Sequence, residues 1–166
     1  MKPFKSSGKQ GHYFVKGPVS SADIIAMAKK LINRQFSKGR VMDGAASSKD
    51  FLALKLGQLE HEAFCIIFLD TRHKIVAFEV LFRGTINGAS VYPREVVKEA
   101  LSVNASAVIL AHNHPSGVPE PSQSDINITQ QLKDVLAVVD VRVLDHIIVG
   151  GARTVSMAEL GLIQQG

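Results

Sequence analysis

Residues 107–149 read AVILAHNHPSGVPEPSQSDINITQQLKDVLAVVDVRVLDHIIV, and this stretch decides the fold class. Ala107 to Ala111 is a short, wholly apolar run, as expected of a buried strand. His112 to Pro121 carries three prolines and a glycine, which stiffen it into a shaped loop. A helix is predicted to follow to about Val138, with Ile128, Leu132, Val135 and Val139 recurring at helical spacing on its inner face. Val141 to Val149 is a second apolar run, a strand closed by Gly150-Gly151.

Working outward, Ala63 to Leu69 and Ile75 to Phe82 are apolar runs rich in β-forming residues, separated by the polar turn Asp70-Thr71-Arg72-His73. Such a pair reads as a β-hairpin in a sheet covered on both faces. Arg83 to Ser90 reads as a loop, and Pro93 suits the first turn of a helix over Arg94 to Leu101. Nearer the start, Ser20 or Ser21 can cap a helix beginning near Ala22. Gly39 to Ala46 reads as a linker. Ser47 or Ser48 can cap a second helix holding Phe51, Leu52, Leu54 and Leu56 and ended by Gly57. Residues 1–19 are rich in Lys, Gly and Ser, lack periodicity, and read as a loose arm. Strands alternating with helices place the chain in the α/β class as a mixed α+β sandwich. The expected organisation is a basic N-terminal arm with one helix over residues 1–46 and one functional domain over residues 47–166.

Composition narrows the functional classes. With 46% apolar residues, the chain can bury a core without covalent staples. The single cysteine, Cys65, lies inside the run Phe64-Cys65-Ile66-Ile67-Phe68 and reads as a small packed residue, with a reactive thiol as the alternative. A cysteine with no possible partner suits a reducing compartment, so a cytoplasmic location is expected. No apolar run approaches the ~20 residues of a membrane span. Charge is unevenly placed: residues 1–60 hold eleven Lys/Arg against four Asp/Glu, and residues 61–166 hold eight against eleven. The basic leader is either a solvated tail or a weak contact surface for DNA or another anionic partner.

The chemistry concentrates after residue 111. His112 and His114 are two apart at the end of a strand, so both imidazoles can point to one side. Asp125 falls in the first turn of the next helix, and the proline-rich loop returns the chain towards the histidines. Two imidazoles and one carboxylate suit zinc, and three protein ligands leave a fourth position for water. One Zn²⁺ per chain is therefore expected, in a catalytic rather than a closed structural site. Zinc lowers the pKa of its water to about 7, and a nearby carboxylate can take the proton. Glu79, in mid-strand among Val76, Ala77, Phe78, Val80 and Leu81, is the first candidate, because a buried carboxylate needs a partner. The alternative is an inward Glu79 paired with Arg83 or Arg94, and Glu62, Glu95 and Glu99 are rival bases. Ser122 precedes Asp125 by three, the spacing of a helix cap; its hydroxyl could instead donate to an oxyanion. His146 reads as a hydrogen-bonded core histidine, or as a partner behind the metal ligands.

Glu79, then His112-x-His114-Pro115, six residues, Ser122, two residues and Asp125 resembles the JAMM (MPN+) metalloprotease motif. More closely, Leu81-Phe82-Arg83-Gly84-Thr85-Ile86-Asn87, Tyr92-Pro93-Arg94-Glu95-Val96, Ala111-His112-Asn113-His114-Pro115-Ser116-Gly117 and Arg142-Val143-Leu144-Asp145-His146-Ile147-Ile148-Val149-Gly150 look like the bacterial RadC branch, over about residues 48–163. The resemblance implies a JAB/MPN fold, a curved mixed sheet flanked by helices and related to the cytidine deaminase-like architecture. It implies His112, His114 and Asp125 as zinc ligands, Glu79 as general acid/base and Ser122 as oxyanion stabiliser. Asn113 stands where the deubiquitinating branch has Ser or Thr.

The function expected is a zinc-dependent metallohydrolase acting on a peptide or isopeptide bond. The alternative is a DNA-associated protein of repair or mobile-element metabolism, with a structural or phosphodiesterase metal site.

Overall fold

Two seven-residue strands organise the domain: Ala63–Leu69 (β3), wholly apolar, and Ala107–Asn113 (β5), apolar up to His112, are buried at every position. Residues buried on both pleat faces need cover on both, which places these strands inside a sheet between helical layers. The computed structural model describes residues 3–9, 11–42, 45–84 and 90–163. By its contacts the chain divides into two compact units, Met1–Gln35 and Phe36–Gly166.

The first unit holds two three-residue strands, Phe4–Ser6 (β1) and Tyr13–Val15 (β2), paired antiparallel, and a helix, Ser21–Gln35 (α1). The reading of residues 1–19 as a loose arm is thus corrected: they contain a hairpin. Its strands are too short to show a period of two, and its turn rests on Gly8 and Gly11 at φ +86° and +76°, which glycine adopts without strain. Ser20 caps α1, accepting from Asp23 N–H while the Asp23 carboxylate accepts from Ser20 N–H.

The second unit carries Ala45–Leu56 (α2), β3, Ile75–Arg83 (β4), Pro93–Ser102 (α3), β5, Gln123–Ala137 (α4), Arg142–Gly150 (β6) and Arg153–Ser156 (β7). Its five-stranded sheet runs in the order β4-β3-β5-β6-β7. β3 is antiparallel to β4 and β5, β5 is parallel to β6, and β6 is antiparallel to β7. The parallel pair requires a crossover, which α4 supplies. The fold is the mixed α/β sheet flanked by helices expected of a JAB/MPN domain. Among the described residues, no helix is long and apolar enough to cross a membrane.

On one face of the sheet Phe64, Ile66, Phe68, Val108 and Leu110 pack against Val96 and Ala100 of α3 and Leu132 and Leu136 of α4. Truncating a fully buried member such as Leu110 to Ala would cost about 2–5 kcal/mol. α2 packs against β5, β6 and β7. Cys65 is fully buried, and burial pushes its thiol up to about 12, so it packs as an apolar residue.

Three local expectations change. α2 begins at Ala45, ahead of the anticipated serine caps, and Ser48 lies inside it, buried. Gly150-Gly151 do not end the sheet but turn the chain into β7. β4 is an edge strand, so its run is not covered throughout: Glu79 and Val80 are exposed. Residues 85–89 of the expected loop, with Thr85, Ile86 and Asn87 of the motif, and Asp43 and Gly44 of the expected linker lie outside the described residues.

Candidate metal centre

Register places the site. His112 shares a sheet face with Leu110 and Val108, and β5 delivers it at the edge of the core packed under α3 and α4. His114 follows two residues later, its backbone N–H donating to the Val149 carbonyl at 2.8 Å. Asp125 is the third residue of α4, brought back by the proline loop. Ser122 caps that helix: its hydroxyl accepts from Asp125 N–H at 3.2 Å, and Asp125 Oδ2 accepts from Ser122 N–H at 2.7 Å and from the Ser122 hydroxyl at 2.6 Å. The capping role of Ser122 is therefore present, and its proton is donated to Asp125.

His112, His114 and Asp125 converge. His112 Nε2 lies 2.9 Å from His114 Nε2 and 3.1 Å from Asp125 Oδ1, and His114 Nε2 lies 3.5 Å from Asp125 Oδ2. Tetrahedral zinc with bonds of about 2.0–2.1 Å holds its ligand atoms about 3.3 Å apart. The separations bracket that value. The remaining ring nitrogens are engaged elsewhere. His114 Nδ1 lies 2.7 Å from the Val118 carbonyl, which can only accept, so in the neutral ring Nδ1 carries the proton and Nε2 is left bare. His112 Nδ1 faces His146 Nε2 at 2.8 Å. Among the described residues this is the one group of three His, Cys, Asp or Glu side chains able to hold a metal ion. The donor set and its spacing fit a divalent metal, and no cysteine contributes.

The electrostatics of the cluster follow from burial and from its contacts. The Asp125 hydrogen bond holds the His114 imidazole above its ordinary pKa against burial. Burial pushes the Asp125 carboxyl up, but the His112 and His114 imidazoles beside it and the Ser122 hydrogen bond outweigh it and hold the group far below the usual carboxylate range. His146 is fully buried, and burial, reinforced by the nearby His112, pushes its pKa well below the ordinary value, so the ring is neutral.

The sequence argument for Glu79 began from burial, and the structure removes that premise: Glu79 is exposed on an edge strand. Its register partner Ile66 also pairs with Leu110, so Glu79 lies on the face of the sheet that carries His112. Another carboxylate lines a cavity beside the cluster. A cavity of about 150 Å³ is lined by Glu62, Phe64, Val91, His112, Ser124, Asp125 and Ile128. Glu62 precedes β3, half-buried. Asn113, the residue between the two histidines, holds this segment in place: its side-chain oxygen accepts from Ala63 N–H at 2.8 Å and its nitrogen donates to the His61 carbonyl at 3.0 Å. A larger cavity, about 430 Å³, lies in the Met1–Gln35 unit beside Tyr13, Met27 and Lys30. It lacks any such ligand cluster, so chemistry rather than size selects the smaller one.

Sequence reasoning did not find Thr129, Asn113 or the Val118 carbonyl as parts of the site. Their partners are set by long-range register and loop shape, which local spacing does not encode.

Known proteins resemble the chain over most of its length. The family model of the RadC-like JAB domain matches residues 42–162. A UPF0758 protein of Leptothrix cholodnii is 50% identical over 150 residues, covering 89% of this chain and 68% of the relative. One from Vibrio cholerae is 51% identical over 138 residues, covering 83% of this chain and 87% of the relative. One from Nitrosomonas eutropha is 53% identical over 150 residues, covering 89% and 67%. With the family model covering most of its length and relatives at about half identity, this chain belongs to the RadC-like JAB domain family.

Proposed function

We propose that the protein is a metal-dependent hydrolase, with His112, His114 and Asp125 holding one Zn²⁺ and a peptide or isopeptide amide as substrate. The observation that carries this reading is the convergence of two imidazole nitrogens and the two oxygens of one carboxylate, with contacts of 2.9–3.5 Å, and with the His114 Nδ1 proton committed to a carbonyl. When bound, zinc would supply Lewis acidity towards water and an amide carbonyl. Glu62, lining the same cavity as His112 and Asp125, takes the proton from the attacking water and passes it to the departing amine nitrogen as the C–N bond breaks. Ser122 redirects the proton it gives Asp125 towards the carbonyl oxygen as negative charge develops there. Glu79 is the second candidate for the proton acceptor, supported by its place on the site face of the sheet.

The test is metal content and hydrolysis together. The purified protein should carry about one zinc per chain. E62Q should keep the metal and lose about 10²–10⁴-fold in kcat, as expected for removal of a general base. If E79Q shows that loss and E62Q does not, the base is Glu79; if neither does, both base assignments fail, and a zinc-loaded wild type that cleaves no peptide or isopeptide amide would sink the hydrolytic reading.

A second reading, weak DNA contact, is favoured by one observation. The Met1–Gln35 unit carries seven Lys/Arg and one Asp/Glu, and Phe14 on its hairpin is 63% exposed. Charged binding of this kind weakens steeply with salt. Replacing Lys5, Lys9 and Lys16 by Gln should reduce duplex binding and flatten its salt dependence; binding that ignores both salt and these changes would exclude it.

A further inference from the structure

The contacts of His112 continue beyond the metal centre into a closed ring of buried groups. His112 Nδ1 lies 2.8 Å from His146 Nε2, and His146 Nδ1 lies 2.5 Å from Thr129 Oγ1. The Thr129 hydroxyl donates to the Asp125 backbone carbonyl at 2.5 Å, and Asp125 Oδ1 returns to His112 Nε2 at 3.1 Å. All four residues are more than nine-tenths buried: His112 1%, His146 0%, Thr129 3% and Asp125 8% exposed. Water therefore does not complete the hydrogen bonding of His146 and Thr129.

The direction of the chain follows from its last member. A carbonyl oxygen only accepts, so the single Thr129 proton points to Asp125. The Met157 sulfur, 3.7 Å away, is a weaker acceptor and does not compete. Towards His146, Thr129 can then only accept, which places a proton on His146 Nδ1. A neutral imidazole carries one ring proton, so His146 Nε2 is bare and accepts from His112 Nδ1–H. That leaves His112 Nε2 with its lone pair facing His114 and Asp125. Phe64 packs edge-on against the His146 ring at 5.5 Å and stacks on the His112 ring at 6.1 Å, limiting rotation of both.

We propose that His146 and Thr129 are positioning residues that lock His112 in the Nδ1–H tautomer with Nε2 aimed at the metal centre, the polarity being set by the Asp125 carbonyl at the start of α4. The functional consequence rests on the metal reading above; the tautomer does not. The same helix turn thus supplies a ligand through the Asp125 side chain and orients a second ligand through the Asp125 backbone. Partners of this type, behind a ligating histidine, typically contribute about 10–100-fold in metal affinity.

The test uses the full chain in two states. Histidine ¹⁵N chemical shifts of the metal-free protein report the His112 tautomer, and competition against a zinc chelator reports affinity. The wild type should show His112 protonated on Nδ1. T129V, isosteric and lacking the hydroxyl, should mix the His112 tautomers and weaken zinc by about 10–100-fold. H146L should do the same, and H146Q, whose amide can accept from His112 and donate onward, should recover most of the loss. Should H146L fail to fold, T129V carries the measurement. A wild-type His112 protonated on Nε2, or a folded T129V with unchanged tautomer and affinity, would overturn the proposal. Absence of zinc binding by the wild type would instead defeat the metal reading and leave the tautomer measurement to decide this one.

Discussion

Asn113 grips the chain on both sides of Glu62: its amide oxygen takes the Ala63 N–H at 2.8 Å and its amide nitrogen gives to the His61 carbonyl at 3.0 Å. Asn113 is 2% exposed and Ala63 fully buried, so the Ala63 N–H would not find water if the amide were lost. N113L should therefore destabilise the domain by about 1–3 kcal/mol, the cost of leaving buried polar groups unpaired. It should also lower kcat, with zinc content unchanged, because the released segment carries Glu62 and none of the metal ligands. N113D keeps the acceptor for Ala63 but turns a carboxylate oxygen towards the His61 carbonyl, and should fall between the two. Thermal unfolding and metal analysis beside kcat check this; equal loss of zinc and kcat would show that Asn113 supports His112 and His114 instead.

Gly150 sits under the proline loop with no room for a side chain. A Cβ there would lie 2.6 Å from the Gly117 carbonyl oxygen and 2.8 Å from Pro119 Cδ. Backbone cannot yield as a flexible side chain would, so G150A should push the loop outward. That loop carries the Val118 carbonyl that orients His114. The expected result is a loss of about 1–3 kcal/mol from overpacking and a weaker zinc affinity, read by chelator competition. Unaltered affinity in a destabilised G150A would show that His114 keeps its orientation without Val118.

The site was legible where it is local and hidden where it is not. His112, His114 and Asp125 lie within one strand–loop–helix passage, and the alternation of a strand, three prolines and a helix start suffice to bring them together. The same logic found the Ser122 cap. Glu79 shows the limit: its run looks like a covered strand, but β4 falls at the sheet edge, and strand order is a property of the whole chain. His146 meets His112 because β6 pairs in parallel with β5, Leu110 opposite His146, a register that no spacing of letters fixes. Asn113 binds backbone fifty residues away, equally out of reach. The short β1–β2 hairpin was missed because three residues per strand carry no period.

Acidity should release the metal, and the sign follows from His114. The Asp125 hydrogen bond raises the His114 pKa above its ordinary 6.5 in the metal-free site, and a protonated imidazole cannot ligate. In the metal-free protein, the His114–Asp125 contact stabilises the fold fully below the unfolded His114 pKa and is lost as pH rises through the raised folded value. Asp125 runs the other way: its contribution is present above the ordinary 3.8 and is lost only as pH falls through its depressed folded value. On the proposed reading, zinc would take the place of the His114 proton. The rise in Tm on adding zinc should thus be small at pH 5 and grow as pH passes the His114 value, saturating above it. A rise in Tm independent of pH over this window would show that zinc binds elsewhere.

Ser122 has two separable jobs, and one substitution divides them. In the structure its hydroxyl accepts from Asp125 N–H and donates to Asp125 Oδ2. Removing the cap in S122A should cost about 1 kcal/mol of stability. If the hydroxyl also donates to the oxyanion, kcat per zinc-loaded molecule should fall by about 10²–10³-fold, with KM little changed. S122T keeps a capping hydroxyl, so it should restore stability, and it should restore rate only insofar as its methyl leaves that hydroxyl able to turn. A fall in Tm without a matching fall in kcat would confine Ser122 to holding Asp125 at the start of α4. Oxyanion stabilisation would then have to come from another group lining the cavity.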